Sequence, residues 1–364
     1  MNIRIPIYQP LLDGNEKKYV NDCLDSSWIS SKGKYIHLFE EKFSEFIGVS
    51  HSASVCNGTV ALHLALVTLG IGKGDEVIVP YFTYIASVNT IVITGAKPVF
   101  VDSLEDTWQM DPDDVKRKIT QYTKAILAVH VYGHPCEMDK LKKIAKENNI
   151  FLIEDCAEAF GSLYNEKHVG TFGDISTFSF YGNKTITTGE GGMVVTNDDT
   201  LYDRAYHLKM HGLAKCREYW HDVIGFNYRM TNICAAIGLA QLENAKEKIQ
   251  KKRELRNWYE EVLSGTPIKT HGEFGDVFHS YWMYSILLDS PQTRDGLRKH
   301  LSANGIETRP TFYPVHTMPM FAHNFQKLPV AEHLGWCGIN LPSWPGLSKE
   351  QIGEIGDLIK KYSG

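Results

Sequence analysis

Between residues 52 and 200 the chain alternates short apolar segments with segments of helical character, and this alternation limits the possible folds more than any other feature. We predict strands over residues 74–80, 97–102, 124–133 and 150–156. Helices are expected over 82–96, near 111–119 and over 138–148. Strands that are apolar on both faces and joined by single helices indicate a parallel sheet covered on both sides. The sequence therefore predicts an α/β fold with functional groups at the carboxyl ends of the strands.

The pattern changes after Thr231, where we predict one long helix over residues 231–263. A strand over 279–288, a helix over 293–305 and a terminal helix over 348–364 follow. We expect a large domain with an N-terminal arm at residues 1–245 and a smaller α+β domain at residues 246–364. A chain of 364 residues with 43% hydrophobic content can bury a core of this size.

Composition excludes several classes of protein. The seven cysteines are scattered without a Cys-x-x-Cys pair, which argues against a disulfide framework or a thiolate zinc site. His130 and His134 flank a strand end and not one helical face, so no metal site is expected. A net charge of -5 without a basic stripe argues against a nucleic-acid surface. With neither a signal peptide nor a membrane-length apolar run, we expect a cytoplasmic protein that does not bind membranes.

The segment TFSFYGNKTITTGEGGMVVTND, residues 177–198, connects two strands through a glycine-rich return. Residues 177–181 and 193–196 have strand character, so Lys184 lies on the connection. A lysine in such a loop is ordinarily solvated. The alternative is a lysine that forms a Schiff base with a cofactor.

Asp155 closes a buried strand, where a lone aspartate can begin or cap the next helix. Alternatively, it can be the carboxylate partner that a protonated pyridinium nitrogen needs. Asp155 and Lys184 lie on neighbouring elements of one sheet, so we expect them to meet at its edge.

The segment SVCNGTVALHLAL, residues 54–66, predicts a strand, a turn at Asn57-Gly58-Thr59 and an apolar helix. Glycine allows close approach of an anion, and a helix N-terminus favours negative charge. We expect Thr59 to cap the helix and Ser179 to add a second hydroxyl; an ordinary Asn-Gly turn is the alternative. Tyr84 follows a strand end and either stacks on a planar ring or packs in the core or rim.

Five motifs occur in a fixed order: strand-Asn-Gly-Thr-helix, Pro-x-x-Thr-Tyr, Glu-Asp-Cys-Ala-Glu-Ala, Ser-Phe-x-x-Asn-Lys with Thr-Gly-Glu-Gly-Gly, and Asn-Tyr-Arg-Met-Thr. Together they resemble the nucleotide-sugar aminotransferases of the DegT/DnrJ/EryC1/StrS family, which are pyridoxal 5'-phosphate (PLP) enzymes of fold type I. The resemblance covers essentially the whole chain. It implies a mostly parallel central sheet in a large domain and a smaller C-terminal α+β domain.

The resemblance also implies roles for the residues at the matching positions. Lys184 would form the internal aldimine with the cofactor and then act as the proton shuttle, and Asp155 would pair with the pyridinium nitrogen. Tyr84 would stack on the ring, and Glu158 would face the cofactor hydroxyl. The phosphate would be held by Gly58, Thr59, Ser179 and Asn227 of the partner subunit. A lysine at position 184 opposes the dehydratase members of the family, which carry histidine there.

Four further segments, WISSKGKYI, YWHDVIGFNYRMTN, FYPVHTMPM and GINLPSWPGLS, resemble the branch of the family that aminates C4 of GDP-4-keto-6-deoxy-D-mannose with glutamate as donor. This implies a homodimer with shared active sites that serves O-antigen or other surface polysaccharide synthesis. A diphosphate needs cationic and polar partners, for which the candidates are Ser30, Lys32, Tyr219, Trp220, His221, Arg229, Arg309, Tyr313 and His316. Arg229 can instead pair with a neighbouring carboxylate, and His316 can be a structural histidine.

Two alternative functions stay open on the sequence alone. The acceptor can be dTDP-4-keto-6-deoxy-D-glucose, because composition and spacing do not select the base. The chain can also be a non-catalytic protein that binds sugar nucleotides. Lys184 disfavours the second alternative, since a pure binder has no need of a Schiff-base lysine.

Overall fold

The computed structural model of the chain describes residues 3–322 and 326–363. The strands, numbered in chain order, are β1 (His51–Val55), β2 (Glu76–Pro80), β3 (Lys97–Val101), β4 (Thr123–Val129), β5 (Phe151–Asp155), β6 (Leu163–Tyr164), β7 (Lys167–His168), β8 (Ile175–Ser179), β9 (Gly192–Thr196), β10 (Lys269–Thr270), β11 (Val277–Phe278), β12 (Tyr284–Leu287), β13 (Arg309–Pro310) and β14 (Gly338–Leu341).

The largest sheet has seven strands in the order β1-β9-β8-β5-β4-β2-β3. Neighbours from β8 to β3 pair in parallel, whereas β9 pairs antiparallel with both β8 and β1. The predicted mostly parallel central sheet is therefore confirmed. The strands are shorter than predicted, since β4 ends at Val129 and the chain turns through a short 3-10 segment at Val131–Gly133.

Helices cover both faces of this sheet. The helices of the described residues, of which α9, α10 and α12 belong to the C-terminal part of the chain, are α1 (Glu16–Asp25), α2 (Lys34–Ile47), α3 (Gly58–Thr68), α4 (Ile85–Ile93), α5 (Pro112–Arg117), α6 (Met138–Asn148), α7 (Asp199–Lys209), α8 (Asn232–Glu243), α9 (Ala245–Leu263), α10 (Pro291–Ala303), α11 (Pro329–Cys337) and α12 (Lys349–Ser363). Alternate residues of a strand point to opposite faces. Val77 and Val79 thus join one core with α3 and α4, while Ile78 joins another with α5 and α6. Within the described ranges, every helix is too short or too polar to cross a lipid bilayer.

The single long helix predicted over 231–263 is wrong. The helix breaks at Asn244, which has φ -106° and ψ 15°, between α8 and α9. Asparagine favours such breaks because its side chain competes for backbone hydrogen bonds. Its amide also lies against Gly14, where an added Cβ would be 2.7 Å from Asn244 Nδ2. Tertiary contact with the N-terminal segment thus coincides with the break.

The C-terminal part of the chain has its own antiparallel sheet, in the order β10-β12-β14-β13. Leu255, Leu297 and Ile355 bring α9, α10 and α12 into the core beside it. Strand and bridge pairings are among the contacts that tie this part to the large sheet region. The strand β11 pairs with β6, and Ile5 of the N-terminal segment pairs with Ile306.

Asn232, the first residue of α8, fixes the connection between α1 and α2. Its buried side chain accepts a hydrogen bond from the Tyr35 N–H at 3.0 Å and donates to the Trp28 carbonyl at 2.7 Å. Its backbone N–H donates to the Ser30 carbonyl at 2.7 Å. The segment that carries Ser30 and Lys32 is therefore held by one asparagine.

We expect Asn232→Ala to lower the free energy of unfolding by about 1–3 kcal/mol, because the Tyr35 N–H and the Trp28 carbonyl lose their partner. Urea unfolding followed by circular dichroism measures the change. Asn148→Ala is the control, since Asn148 is exposed at the end of α6 and its side chain donates to the nearby carbonyl of Ile144. Equal losses in the two variants would contradict the assignment.

Candidate active site

Lys184 lies in the loop that joins β8 to β9, at the edge where the parallel strands end. The Lys184 N–H donates to the Tyr181 carbonyl at 2.8 Å, and the Thr188 N–H donates to the Phe180 carbonyl at 2.9 Å. The side chain of Lys184 is only 12% exposed, and its Nζ lies 3.8 Å from Glu158 Oε1. The interpretation of Lys184 as an ordinary solvated loop lysine is therefore wrong.

Burial changes the acidity of both members of this pair. It lowers the pKa of Lys184, against the attraction of Glu158 and Asp155. Burial raises the pKa of Glu158 to about 7, although Lys184 and the Tyr132 N–H, which donates to Glu158 Oε2 at 2.8 Å, act in the opposite direction. Both shifts move proton exchange towards neutral pH, which suits the pair to proton transfer.

Asp155, the last residue of β5, is buried near this pair. Its Oδ2 accepts a hydrogen bond from Ser87 Oγ at 2.7 Å, and its Oδ1 accepts one from the Ala157 N–H at 3.1 Å. Burial raises the pKa of Asp155, and these hydrogen bonds and Lys184 oppose the rise. Turns follow Asp155 directly, so its interpretation as a helix cap is wrong. Asp155 and Lys184 are close enough for the charge of each to act on the pKa of the other, which agrees with the expectation that they meet at the sheet edge.

The N-terminus of α3 opens onto the same edge. Asn57, in an extended conformation, caps the helix by accepting from the Val60 N–H. The prediction that Thr59 caps the helix is wrong, because Thr59 already lies inside the first turn. A Cβ on Gly58 would lie 2.7 Å from Ser179 Cβ and 2.9 Å from its Oγ. This close approach leaves backbone N–H groups and a hydroxyl at a helix end that favours anions.

Tyr84 precedes α4 after the end of β2. Its side chain is 57% exposed, so it is not a core residue. Its ring centroid lies 5.6 Å from that of Phe312. An exposed aromatic face at this edge can stack on a planar ligand.

Glu154, beside Asp155 in the sequence, is fully buried with His130 and Cys156. Their ligand atoms lie within 4.8 Å of one another. Hydrogen bonds account for this cluster: His130 Nδ1 accepts from the Cys136 N–H, and its Nε2 lies 3.1 Å from Glu154 Oε2. Three loop N–H groups also donate to Glu154, those of Gly170, Phe172 and Gly173.

The other predicted site residues divide into exposed and buried ones. Ser30 and Lys32 are exposed on the connection held by Asn232. Tyr219 and Trp220 are also exposed, Tyr219 by 91% and with a positive φ of 55°. The neighbouring His221 bonds the His211 carbonyl through Nδ1. These ring side chains are therefore exposed to solvent in their own chain.

Among the residues that the structure describes, Arg229 has no carboxylate partner. Its Nε donates to Asn227 Oδ1 at 2.9 Å, and both residues lie on the segment between α7 and α8. Arg309, on β13, pairs with Glu307 at 2.8 Å and is exposed. Both guanidinium groups therefore keep donors at the surface.

Tyr313 and His316 follow β13. The ring of Tyr313 lies 4.9 Å from that of Trp336. His316 is buried between Tyr81, whose ring lies 4.5 Å away, and Glu332, which is 3.3 Å from its Nε2. These contacts favour the structural alternative for His316.

Sequence reasoning missed four residues at this edge. Ser87 bonds Asp155, Tyr132 bonds Glu158 through its N–H, and Tyr8 donates its hydroxyl to the Lys184 carbonyl at 2.7 Å. Trp282 donates its indole N–H to the Asn183 carbonyl at 2.7 Å. Ser87 could have been found from its position one turn into a helix after Tyr84. The other contacts are between segments whose proximity has no signal in the sequence.

Comparison with known proteins adds to this geometry. The family model of the DegT/DnrJ/EryC1/StrS aminotransferases matches residues 10–360. The chain is 63% identical to the GDP-perosamine synthase of Escherichia coli O157:H7 over 98% of both chains, and 54% identical to that of Vibrio cholerae over 98% of this chain and 99% of the relative. Among solved structures it is similar to DesV of S. venezuelae, with a TM-score of 0.91 and 34% identity over 96% and 94% of the two chains. The Helicobacter pylori aminotransferase PseC has a TM-score of 0.94 and 29% identity over 100% and 99%.

We expect Gly58→Ala to weaken the binding of PLP at least about tenfold, because the new methyl group would fill the space between α3 and Ser179. Titration of cofactor-free protein, followed by the visible absorbance of the bound cofactor, measures the affinity. Gly182→Ala is the control in the loop of Lys184, since a Cβ at Gly182 meets nothing within 4 Å. Unchanged affinity in Gly58→Ala would exclude an anion-binding site at the N-terminus of α3.

Proposed function

Because the chain belongs to the DegT/DnrJ/EryC1/StrS aminotransferase family, we propose that it transfers the amino group of glutamate to C4 of GDP-4-keto-6-deoxy-D-mannose, giving GDP-perosamine. The match over residues 10–360 confirms the resemblance found in the sequence. The names of the Escherichia coli and Vibrio cholerae relatives support the GDP-linked product. The observation that carries the proposal is the buried Lys184 amine 3.8 Å from the buried carboxyl of Glu158, with buried Asp155 near enough to act on its pKa.

The residues at the sheet edge fit PLP. Lys184 offers an amine for the aldehyde of the cofactor, and buried Asp155 offers a carboxylate for its ring nitrogen. Tyr84 offers an exposed aromatic face, and Glu158 is the carboxyl nearest to Lys184. The anion-binding site at the N-terminus of α3 would hold the phosphate through Gly58, Thr59 and Ser179, with Asn227 of the partner subunit. Each part of the cofactor thus has a chemical counterpart in the site.

When bound, PLP supplies an electron sink that makes a proton on the neighbouring carbon of the donor acidic. Asp155 would keep the ring nitrogen charged, and its hydrogen bonds from Ser87 and Ala157 orient it. The Lys184 amine would take that proton and later deliver one to C4 of the sugar, and burial favours this exchange because it lowers the pKa of the amine. Burial of Lys184 and Glu158 keeps bulk water from the transferred proton.

The exposed polar and aromatic residues are proposed to bind the sugar nucleotide. Arg229 and Arg309 keep N–H donors that suit a diphosphate. Tyr219, Trp220 and His221 are proposed to reach the site of a partner subunit, since they are exposed in their own chain. Ser30, Lys32 and Tyr313 complete the proposed contacts, with His316 positioning the segment behind them. This arrangement requires a homodimer with shared active sites.

We further propose a large domain at residues 1–245 and a small domain at 246–364. The start of α9 at Ala245 and the separate sheet of residues 269–341 support this division. The product would enter O-antigen or another surface polysaccharide of lipopolysaccharide type, made from a nucleotide sugar in the cytoplasm.

We expect Lys184→Ala to lower kcat by at least about a thousandfold and to abolish the visible absorption of lysine-bound cofactor, because the nucleophile and proton carrier are both lost. Stopped assays with glutamate and spectra of the purified protein measure the two effects. Lys167→Ala, at an exposed lysine in β7, should match the unaltered protein. Retention of turnover by Lys184→Ala would refute the role of this residue.

We expect the protein to aminate GDP-4-keto-6-deoxy-D-mannose and not dTDP-4-keto-6-deoxy-D-glucose. Incubation with glutamate and each sugar, followed by mass spectrometry, detects conversion of ketone to amine. Conversion of the dTDP sugar alone would keep the mechanism and overturn the proposed acceptor. Conversion of neither sugar, in protein that binds PLP, would favour a non-catalytic sugar-nucleotide-binding protein.

A further inference from the structure

Trp282, which belongs to the C-terminal part of the chain, contacts the loop that carries Lys184. It lies between β11 and β12, and its side chain is buried against the loop that carries Lys184. The indole N–H donates to the Asn183 carbonyl at 2.7 Å. The Nζ of Lys184 lies 3.8 Å from the centroid of the Trp282 ring. One side chain therefore contacts both the backbone of this loop and the amino group of its lysine.

The position of Trp282 is itself fixed. Its backbone N–H donates to the Tyr132 carbonyl at 3.1 Å, and its ring is stacked on Tyr132 with centroids 5.9 Å apart. The ring of Phe312 packs against both, with its centroid 5.0 Å from that of Tyr132 and 6.4 Å from that of Trp282. A ring packed in this way cannot rotate away from Lys184 without disturbing its neighbours.

We propose that the face of Trp282 is the resting place of the Lys184 amino group whenever this lysine is not bonded to the cofactor, so that Trp282 is a positioning residue for the transferred proton. The proposal rests on the proposed function, in which Lys184 is released from the cofactor during each half-reaction.

An aromatic face attracts an ammonium group more strongly than a neutral amine, and the effect is larger when water is excluded. The charged groups that act on the Lys184 amine are Glu158 and Asp155. Both carboxylates and Trp282 favour the protonated form, whereas burial favours the neutral form. Loss of the ring would therefore lower the pKa of Lys184 further and weaken its hold on the proton.

A variant of Tyr8 serves as a control, because it affects the position of the Lys184 backbone and not the surroundings of the Lys184 amine. The Tyr8 hydroxyl donates to the Lys184 carbonyl, on the backbone side of the same residue. Tyr8→Phe removes this bond without removing a group next to Nζ. It should loosen the loop while leaving the electrostatics of the amine unchanged.

The experiment uses the PLP-loaded enzyme treated with glutamate alone, which leaves the cofactor in its amine form and Lys184 free. The protein is labelled with acetic anhydride over a range of pH, and mass spectrometry of the peptide carrying Lys184 gives the pH midpoint of its reactivity. The variants are Trp282→Leu and Trp282→Phe, with Tyr8→Phe and Trp258→Phe as controls. Trp258 packs partly buried against the C-terminal core.

We expect the midpoint for Trp282→Leu to move to lower pH by about one unit, a tenfold change in proton affinity. Trp282→Phe should shift it less, since an aromatic face remains, and the two controls should not shift it. An unchanged midpoint in folded Trp282→Leu, or an equal shift in Tyr8→Phe, would overturn the proposal. Failure of the unaltered enzyme to release Lys184 with glutamate would instead count against the proposed function. If Trp282→Leu does not fold, the comparison of Trp282→Phe with Tyr8→Phe decides the matter.

Discussion

The placement of one lysine amine away from water is the constraint on which the rest of the structure depends. A buried ammonium is unfavourable unless other groups replace its hydration. For Lys184 these groups come from separate parts of the chain: Glu158 and Asp155 from the end of β5 and the turns after it, and the ring of Trp282 from the segment before β12. The site therefore exists only when the large sheet and the C-terminal part of the chain are packed together.

The topology of the large sheet explains how these groups meet. Parallel strands end at one edge, so the residues after β1, β5 and β8 converge without any being close in sequence. The antiparallel strand β9 adds a tight return after β8, and this return carries Lys184. Had β9 been parallel, a long crossover would be needed there, and the lysine would lie on a longer connection.

The same topology decides what the sequence could predict. The convergence of Asp155, Lys184 and the turn at Gly58 follows from strand pattern and chain direction alone. The break at Asn244 was missed because the apolar period continues across it, while a tertiary contact with Gly14 accompanies the change of direction. The contacts of Tyr8 and Trp282 with the Lys184 loop could not be predicted, since each joins segments far apart in sequence and neither has a motif.

Glu154 and Asp155 are adjacent carboxylates that have different roles because of the geometry of the strand. Successive side chains of β5 point to opposite faces of the sheet. Glu154 faces donors that outnumber those of Asp155, namely His130 Nε2, Ser176 Oγ and the loop N–H groups of residues 170, 172 and 173. Burial alone would raise the pKa of Glu154, but these donors bring it below its ordinary value.

In the part of the chain that the structure describes, the hydrogen bonds to Asp155 come from Ser87 and Ala157, and burial leaves its pKa raised. The first carboxylate is thus saturated and anchors the loop that leads into β8. The second retains acceptor capacity at the sheet edge, where a charged ligand nitrogen can use it. Because the loop that donates to Glu154 leads into β8, and Lys184 follows β8 in the chain, the anchoring of this loop by Glu154 contributes to the placement of Lys184 at the sheet edge.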